Sequence, residues 1–258
     1  MTTVSARGTV QVENLTQIHR SGERTTHALD NISFTIPAGK FVSVVGPSGC
    51  GKSSLLMLLV GLAQSTSGEL RVAGRPVAGP DPARIGVVFQ EANLFPWLTA
   101  RKNVEFPLMI RNMSVKERET KARDALELVG LDEFGDRYPH ELSGGMRQRV
   151  SIARGIVQDP DVLMMDEPFA ALDEQTRMVM GDELLRIWER TGKTVVFVTH
   201  SLTEAIYLSD HVLVLSARPG RIIDRIDIDL PRPRTFELTS SAEFIQIRNR
   251  IWEQIRTA

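Results

Sequence analysis

Apolar and polar positions along the chain alternate between two periods. Phe41-Val42-Ser43-Val44-Val45 is a short apolar, β-branched run with the character of a buried strand, and residues 54–60 continue as an apolar helix. Upstream, Val10, Val12 and Leu15 precede the polar stretch Arg20-Ser21-Gly22-Glu23-Arg24, which predicts a hairpin turn. Leu29 follows, and then Ile32, Phe34 and Ile36 alternate as a half-buried strand does. Residues 4–40 are therefore expected to be mainly antiparallel sheet, turning at Pro37-Ala38-Gly39-Lys40 into the next strand. Strands are also predicted at 67–72, with a turn at Ala73-Gly74, and at 85–89.

The period changes over residues 99–137. Val104, Leu108 and Ile110 suggest one helix, and Ala122, Ala125, Leu126 and Val129 sit at helical spacing in a second. A helical block between strands of an αβ order reads as an inserted subdomain. Strands return at 161–166, 194–199, 212–215 and 222–228. A helix over 174–190 is expected to turn Met178, Leu184, Leu185 and Trp188 inward. Pro231 and Pro233 bracket a break, and residues 241–256 carry Phe244, Ile247, Ile251 and Ile255 on one helical stripe. That stripe is expected to pack on the chain's own domain.

The chemistry is concentrated between the first buried strand and its helix. Gly46-Pro47-Ser48-Gly49-Cys50-Gly51-Lys52-Ser53 fits the phosphate-loop pattern without a mismatch, in the strand–loop–helix setting that the pattern needs. Glycines allow backbone N–H groups to converge on phosphate oxygens, and the helix N-terminus adds its dipole. Lys52 is placed to reach the β- and γ-phosphates of a nucleotide and Ser53 to ligate Mg²⁺, and Ser54 joins the nucleotide-binding set. A second half of the site is expected at Asp166-Glu167-Pro168, after an apolar strand. Asp166 would hold Mg²⁺ through water, and Glu167 would act on the attacking water as general base. His200 and Gln90 each follow an apolar strand. His200 is expected to sense the γ-phosphate, and Gln90 to touch both Mg²⁺ and water.

Leu142-Ser143-Gly144-Gly145-Met146-Arg147-Gln148-Arg149 reads as a second anion-binding helix start. One phosphate loop already serves the chain's own nucleotide. A second such terminus (Ser143, Gly144, Gly145) makes sense if it serves the nucleotide of a neighbouring copy. This predicts a head-to-tail, two-fold homodimer with ATP between the subunits.

With these motifs in view the chain resembles the ATP-binding subunit of ABC transporters over residues 4–230. Gly46 to Ser53 resembles Walker A, Gln90 the Q-loop, 142–148 the signature and 162–166 Walker B. Glu167 resembles the catalytic glutamate, Ala171-Leu172-Asp173 the D-loop and His200 the switch histidine. The resemblance implies an α/β fold: a P-loop NTPase, RecA-like core with an antiparallel β-subdomain and an inserted helical subdomain. Applied here, the antiparallel part is 4–40, the nucleotide core 41–93 and 160–230, the helical subdomain 94–159, and a C-terminal helical extension 231–258. More narrowly, Phe89-Gln90-Glu91-Ala92-Asn93-Leu94-Phe95-Pro96-Trp97, the run 142–149 with Met146 where many relatives have glutamine, and Leu215-Ser216-Ala217-Arg218-Pro219-Gly220-Arg221-Ile222 resemble importers of the nitrate/sulfonate/taurine group. That implies ATP and Mg²⁺ as cofactors, and a transmembrane permease and a solute-binding protein as partners. The place of work would be the cytoplasmic face of the inner membrane. Where the family usually has an aromatic that stacks on adenine, this chain has His19, whose imidazole offers less area than Tyr.

Composition narrows the alternatives. Thirty-one basic and 32 acidic residues leave a net charge of −1, without the basic excess of a dedicated nucleic-acid binder. The single cysteine, Cys50, permits no internal disulfide and favours a reducing, intracellular setting. Its place in an anion-favouring loop predicts a stabilised thiolate that ATP would shield from alkylation. Residues 1–8 lack the apolar core of a secretory signal, and no apolar run approaches the roughly 18–20 residues of a membrane span. Work at a membrane would then require docking. Leu94-Phe95-Pro96-Trp97-Leu98 is apolar for a loop, and reads either as local core or as the groove for a permease helix. A soluble ATPase of the same family working in DNA repair or on ribosomes is the competing class. Repair members carry a long coiled-coil insertion for which residues 54–141 leave no room, and translation members usually carry two such domains per chain.

Overall fold

The computed structural model describes residues 8–22 and 24–257. Residues 4–7 of the expected antiparallel region, the N-terminal segment before them and Glu23 of the expected turn lie outside the described residues. The chain divides into two compact units, Met1–Asp81 with Lys193–Ala258, and Pro82–Gly192.

In the first unit, β1 (Val10–Ser21) and β2 (Arg24–Ile36) form the expected hairpin, Ser21 pairing with Arg24. β1 is also antiparallel to β4 (Ser67–Val72), which pairs with the two-residue β5 (Arg75–Pro76), giving the order β2-β1-β4-β5. Sequence order had placed 67–72 with the nucleotide core. The pairing of Val10 with Val72 and Val12 with Leu70 joins it to the antiparallel sheet, where these apolar side chains share one buried face. Asn14 and Asn31 take positive φ at the irregularities of the long hairpin, a conformation that Asn tolerates better than most residues.

The second sheet of this unit centres on β3 (Phe41–Val45), buried at every position and parallel to β8 (Thr194–Val198) on one side and β9 (His211–Leu215) on the other. Burial on both faces is why these strands read as unbroken apolar runs. Ser43, the polar exception in β3, pairs its hydroxyl with that of Ser209 at 2.5 Å. β10 (Ile222–Asp227) closes the edge antiparallel to β9. α1 (Lys52–Leu59) follows β3. α6 (Leu202–Leu208), which the apolar pattern did not reveal, packs on β3.

The chain then passes through Arg234, which is 6% exposed. Its Nη1 donates to the carbonyls of Ile206, Tyr207 and Ser209 at 2.8–2.9 Å, and its Nη2 to those of Ile228 and Leu230. α7 (Ala242–Thr257) buries Phe244 and Ile251 from the expected stripe and packs on α6 and β9.

In the second unit, β6 (Ile85–Val88) and β7 (Val162–Asp166) are parallel. α2 (Ala100–Ile110), α3 (Val115–Leu128) and α4 (Gly144–Ile156) pack on one another. Thr99, Ser114 and Ser143 cap these helices with side-chain oxygens, and the Ser114 hydroxyl also donates to the Glu117 carboxylate at 2.6 Å. In α5 (Glu174–Thr191), Leu184 and Leu185 are buried as expected. Met180 and Ile187 are the other fully enclosed large side chains, whereas Met178 and Trp188 are only half-buried. The helix therefore centres its core face toward Met180 and Ile187, about a fifth of a turn from where Met178 and Trp188 alone would set it. No helix among the described residues is long and apolar enough to cross a membrane.

Candidate functional site

The candidate residues fall into two groups, one in each unit. In the first, β3 and β8 run parallel with Val44 beside Val198, so the loop after β3 and the residues after β8 leave the same edge of the sheet. The backbone N–H of Thr199 donates to the Val44 carbonyl at 3.3 Å. This edge carries Gly46, Pro47, Ser48, Gly49, Cys50 and Gly51 from one strand and His200 from its neighbour. His200 is exposed. Thr199 beneath it is buried, donates its hydroxyl to Glu204 Oε2 at 2.5 Å and accepts from the Ser201 N–H at 3.0 Å.

The loop itself closes on Lys52. Gly51 stands as N-cap of α1 with φ +107°, and a Cβ there would lie 2.6 Å from Leu29 Cδ2 and 2.8 Å from the Ala28 carbonyl. Both backbone angle and space thus require glycine. Lys52, 7% exposed, donates from Nζ to the carbonyls of Gly46 (2.9 Å) and Pro47 (3.0 Å), and has no carboxylate partner among the described residues. A third, longer contact runs from Nζ to Cys50 Sγ at 3.9 Å; a buried ammonium with such neutral partners, at the positive end of a helix, is a place where an anion is stabilised. Ser48 and Gly49 are exposed, and the exposed Ser53 hydroxyl has no hydrogen-bond partner among the described residues.

Beside the loop, His19 Nε2 lies 3.1 Å from Ser54 Oγ. Gln17, His19, Ser53, Ser54, Met57 and Leu62 are among the residues lining a cavity of about 250 Å³ there. His19 therefore reaches the start of α1, to which it is tied by that hydrogen bond.

Cys50 departs from expectation. It is 1% exposed, and burial pushes its thiol above the ordinary range despite the Lys52 ammonium nearby. The expected stabilised thiolate is overturned, because desolvation outweighs the attraction of the loop.

In the second unit, β6 and β7 pair with Val88 beside Met165, so Gln90 and the pair Asp166-Glu167 also leave one sheet edge. Gln90 is exposed, and Asp166 and Glu167 are half-buried. Glu167 adopts φ +44°, a left-handed conformation that costs a non-glycine residue. Ser143 caps α4 by accepting from the Met146 N–H at 3.3 Å. Ser143 and Gly144 are exposed, while Gly145 is buried where a Cβ would approach Thr176 at 3.0 Å. Asp173 caps α5, accepting from the N–H of Thr176 at 2.9 Å and from its hydroxyl at 2.7 Å. The hydroxyl bond leads in holding the Asp173 carboxyl below its usual range.

Three residues outside the expected set support these positions. Gln148, 4% exposed, donates to the Phe89 carbonyl at 3.2 Å, and Arg154 donates to the Ala92 and Asn93 carbonyls at 2.6 and 2.8 Å. Both rise from α4, so the signature helix is bonded directly to the segment that carries Gln90. Asn103, fully buried, accepts from the Phe95 N–H and donates to the carbonyls of Phe95, Leu98 and Thr99, holding the 94–98 loop in shape. Trp97 is 70% exposed, which places the tip of that loop at the surface of its unit and not in a local core.

The donors expected for Mg²⁺ (Ser53, Gln90, Asp166) are all oxygen donors, the type that Mg²⁺ takes. Among the described residues no cluster of three or more His, Cys, Asp or Glu could hold a metal by itself.

Comparison with known proteins agrees with this arrangement. The family model described as ABC transporter matches residues 29–170. An uncharacterized ABC transporter ATP-binding protein of Methanocaldococcus jannaschii is 49% identical, over 94% of this chain and 89% of its own length. A taurine import ATP-binding protein of Rhizobium johnstonii is 47% identical over 88% of each chain. Among solved structures, a dimeric post-hydrolysis state of an ATP-binding cassette bound to ADP and phosphate matches with a TM-score of 0.75 and 34% identity. That match spans 86% of this chain and all of the other. The chain thus belongs to the ABC transporter family, as an ATP-binding, ATP-hydrolysing subunit.

Proposed function

We propose that this subunit powers import of a small anion, a sulfonate such as taurine or an inorganic anion such as nitrate, by hydrolysing ATP at two composite sites of a homodimer. The observation that carries the ATP part is Lys52, a buried ammonium held by carbonyls of its own loop and without a carboxylate partner among the described residues. The import part is supported by the similarity to the taurine import protein, and the dimer by the dimeric cassette structure.

In this reading Lys52 exchanges the Gly46 and Pro47 carbonyls for β- and γ-phosphate oxygens. The backbone N–H groups of 46–54 supply the remaining donors. His19 meets the adenine. Glu167 accepts a proton from the attacking water, Gln90 orients that water, and His200 contacts the γ-phosphate as charge shifts. Ser53, Asp166 and Gln90 would hold Mg²⁺, which would supply positive charge to offset that of the phosphates. Ser143, Gly144 and Gly145, with Asp173, face the nucleotide of the partner copy. Closure of the dimer drives a permease that docks near Trp97, and a solute-binding protein delivers the anion to that permease. The subunit then sits peripherally at the cytoplasmic face of the inner membrane.

The test is purification of the tagged protein from gently solubilised native membranes, with ATPase activity assayed against small anions. A multi-span permease and a solute-binding protein should co-purify, and one sulfonate or related anion should stimulate hydrolysis. A nucleotide-dependent dimer that brings ribosomes or nucleic acid and no permease would overturn the transport reading.

A further inference from the structure

β9 runs parallel to β3 with Val214 beside Val45, so the segment after β9 leaves the sheet at the same edge as the phosphate loop. That segment, Ser216-Ala217-Arg218-Pro219-Gly220-Arg221, lies against the loop at successive points. The Leu215 carbonyl stands 2.8 Å from where a Cβ on Gly46 would be. Arg218 donates from both Nε (3.1 Å) and Nη2 (3.0 Å) to the carbonyl of Gly49. Gly220 passes so close that a Cβ on it would fall 2.1 Å from the Cys50 carbonyl.

The segment is itself anchored. Gly220 N–H donates to the Ala28 carbonyl at 2.9 Å and the Gly220 carbonyl accepts from Asp30 N–H at 3.0 Å. Arg221 pairs with the Asp30 carboxylate, and the Ser216 hydroxyl donates to the Pro219 carbonyl at 3.1 Å while accepting from the Arg221 N–H at 3.0 Å.

We propose that Arg218 is a positioning residue for nucleotide binding: its guanidinium fork holds the Gly49 carbonyl on the outside of the phosphate loop, so the loop keeps its phosphate-receiving shape before nucleotide arrives. This rests on the reading of 46–53 as a nucleotide loop. Gly49 is exposed, has φ +74° and carries no side chain to restrain it. Among the described residues, the peptide unit that carries this carbonyl has one other hold, the Cys50 N–H on the Pro47 carbonyl at 3.3 Å; without the fork that long bond alone resists rotation of the Gly49 peptide units, and each rotation that turns an N–H away from the ligand withdraws a donor. With the N–H kept for the ligand, the carbonyl is the group by which such a residue can be gripped. A planar two-donor fork grips it better than a single ammonium. A loop that is competent only part of the time binds with its affinity reduced by that fraction.

The experiment follows binding of a fluorescent ATP analogue by stopped flow to wild type, Arg218→Gln, Arg218→Lys and Lys52→Ala. It adds amide hydrogen exchange of residues 48–51 in nucleotide-free protein. Arg218→Gln should slow association about five-fold, the ceiling for an exposed charged contact, with dissociation unchanged. Arg218→Lys should fall between Gln and wild type. Exchange at 48–51 should be faster in the free Gln variant and equal to wild type once nucleotide is bound. Unchanged association and exchange in both Arg218 variants, with binding lost in Lys52→Ala, would overturn the inference and leave the proposed function intact. A rise in dissociation rate alone would also overturn it, since Arg218 would then be touching nucleotide. Failure of wild type to bind better than Lys52→Ala would overturn the proposed function itself.

Discussion

His19 Nε2 and Ser54 Oγ lie 3.1 Å apart, joining the end of β1 to the first turn of the helix that follows the phosphate loop. In the proposed site an imidazole held there would meet the adenine with its ring face while its edge stays bonded to the helix. His19→Ala should weaken ATP binding several-fold, and His19→Tyr should tighten it through greater stacking area. Equilibrium titration with ATP checks both, and unchanged affinity in the pair would remove His19 from the site.

Glu167 carries its carboxylate on a left-handed backbone at the end of β7. Replacing it with Gln keeps the shape and removes the base. Glu167→Gln should bind ATP as wild type does and hydrolyse it at least about 100-fold more slowly. Single-turnover hydrolysis measured beside binding separates the two effects.

Cys50 is the place where loop chemistry and burial compete, and burial wins. Because its folded pKa lies above that of a free thiol, the thiolate is scarce at neutral pH and increases only as pH rises past the ordinary thiol range. Iodoacetamide should therefore modify Cys50 more slowly than a model thiol at pH 7, with the rate climbing at alkaline pH. Rapid modification at pH 7 would contradict the burial of this side chain.

Trp97 presents an exposed indole on a loop held by the buried Asn103. Trp97→Ala removes contact area without opening a core. Thermal stability and ATP binding should stay near wild type while anion uptake falls. Normal uptake would place the permease contact elsewhere.

Arg234 satisfies five backbone carbonyls from a nearly buried position, and burial lowers its pKa to about 10. Arg234→Met keeps volume but leaves those carbonyls without their donor. The expected loss is about 2–4 kcal/mol of unfolding free energy, read by urea denaturation. A change below about 0.5 kcal/mol, the range of ordinary surface substitutions, would mean that water replaces the guanidinium.

Much of this protein was legible residue by residue. Gly46 to Ser53 between an apolar strand and a helix, Asp166-Glu167 after another strand, and Ser143 opening α4 are local arrangements whose physics lies within a few bonds: a turn that needs glycine, a cap that needs a hydroxyl, a strand that needs β-branched side chains. Strand order was not local. That β3 lies between β8 and β9, so that His200 and Arg218 leave the edge where the phosphate loop sits, depends on pairing between residues far apart in the chain. The transfer of β4 to the antiparallel sheet has the same origin, since the long-range pairing of Val10 with Val72 and Val12 with Leu70 decides it. Cys50 shows the third kind of non-local effect. Its neighbours in sequence favour an anion, but its pKa is set by how completely the fold removes water from it, and desolvation is a property of the packed structure.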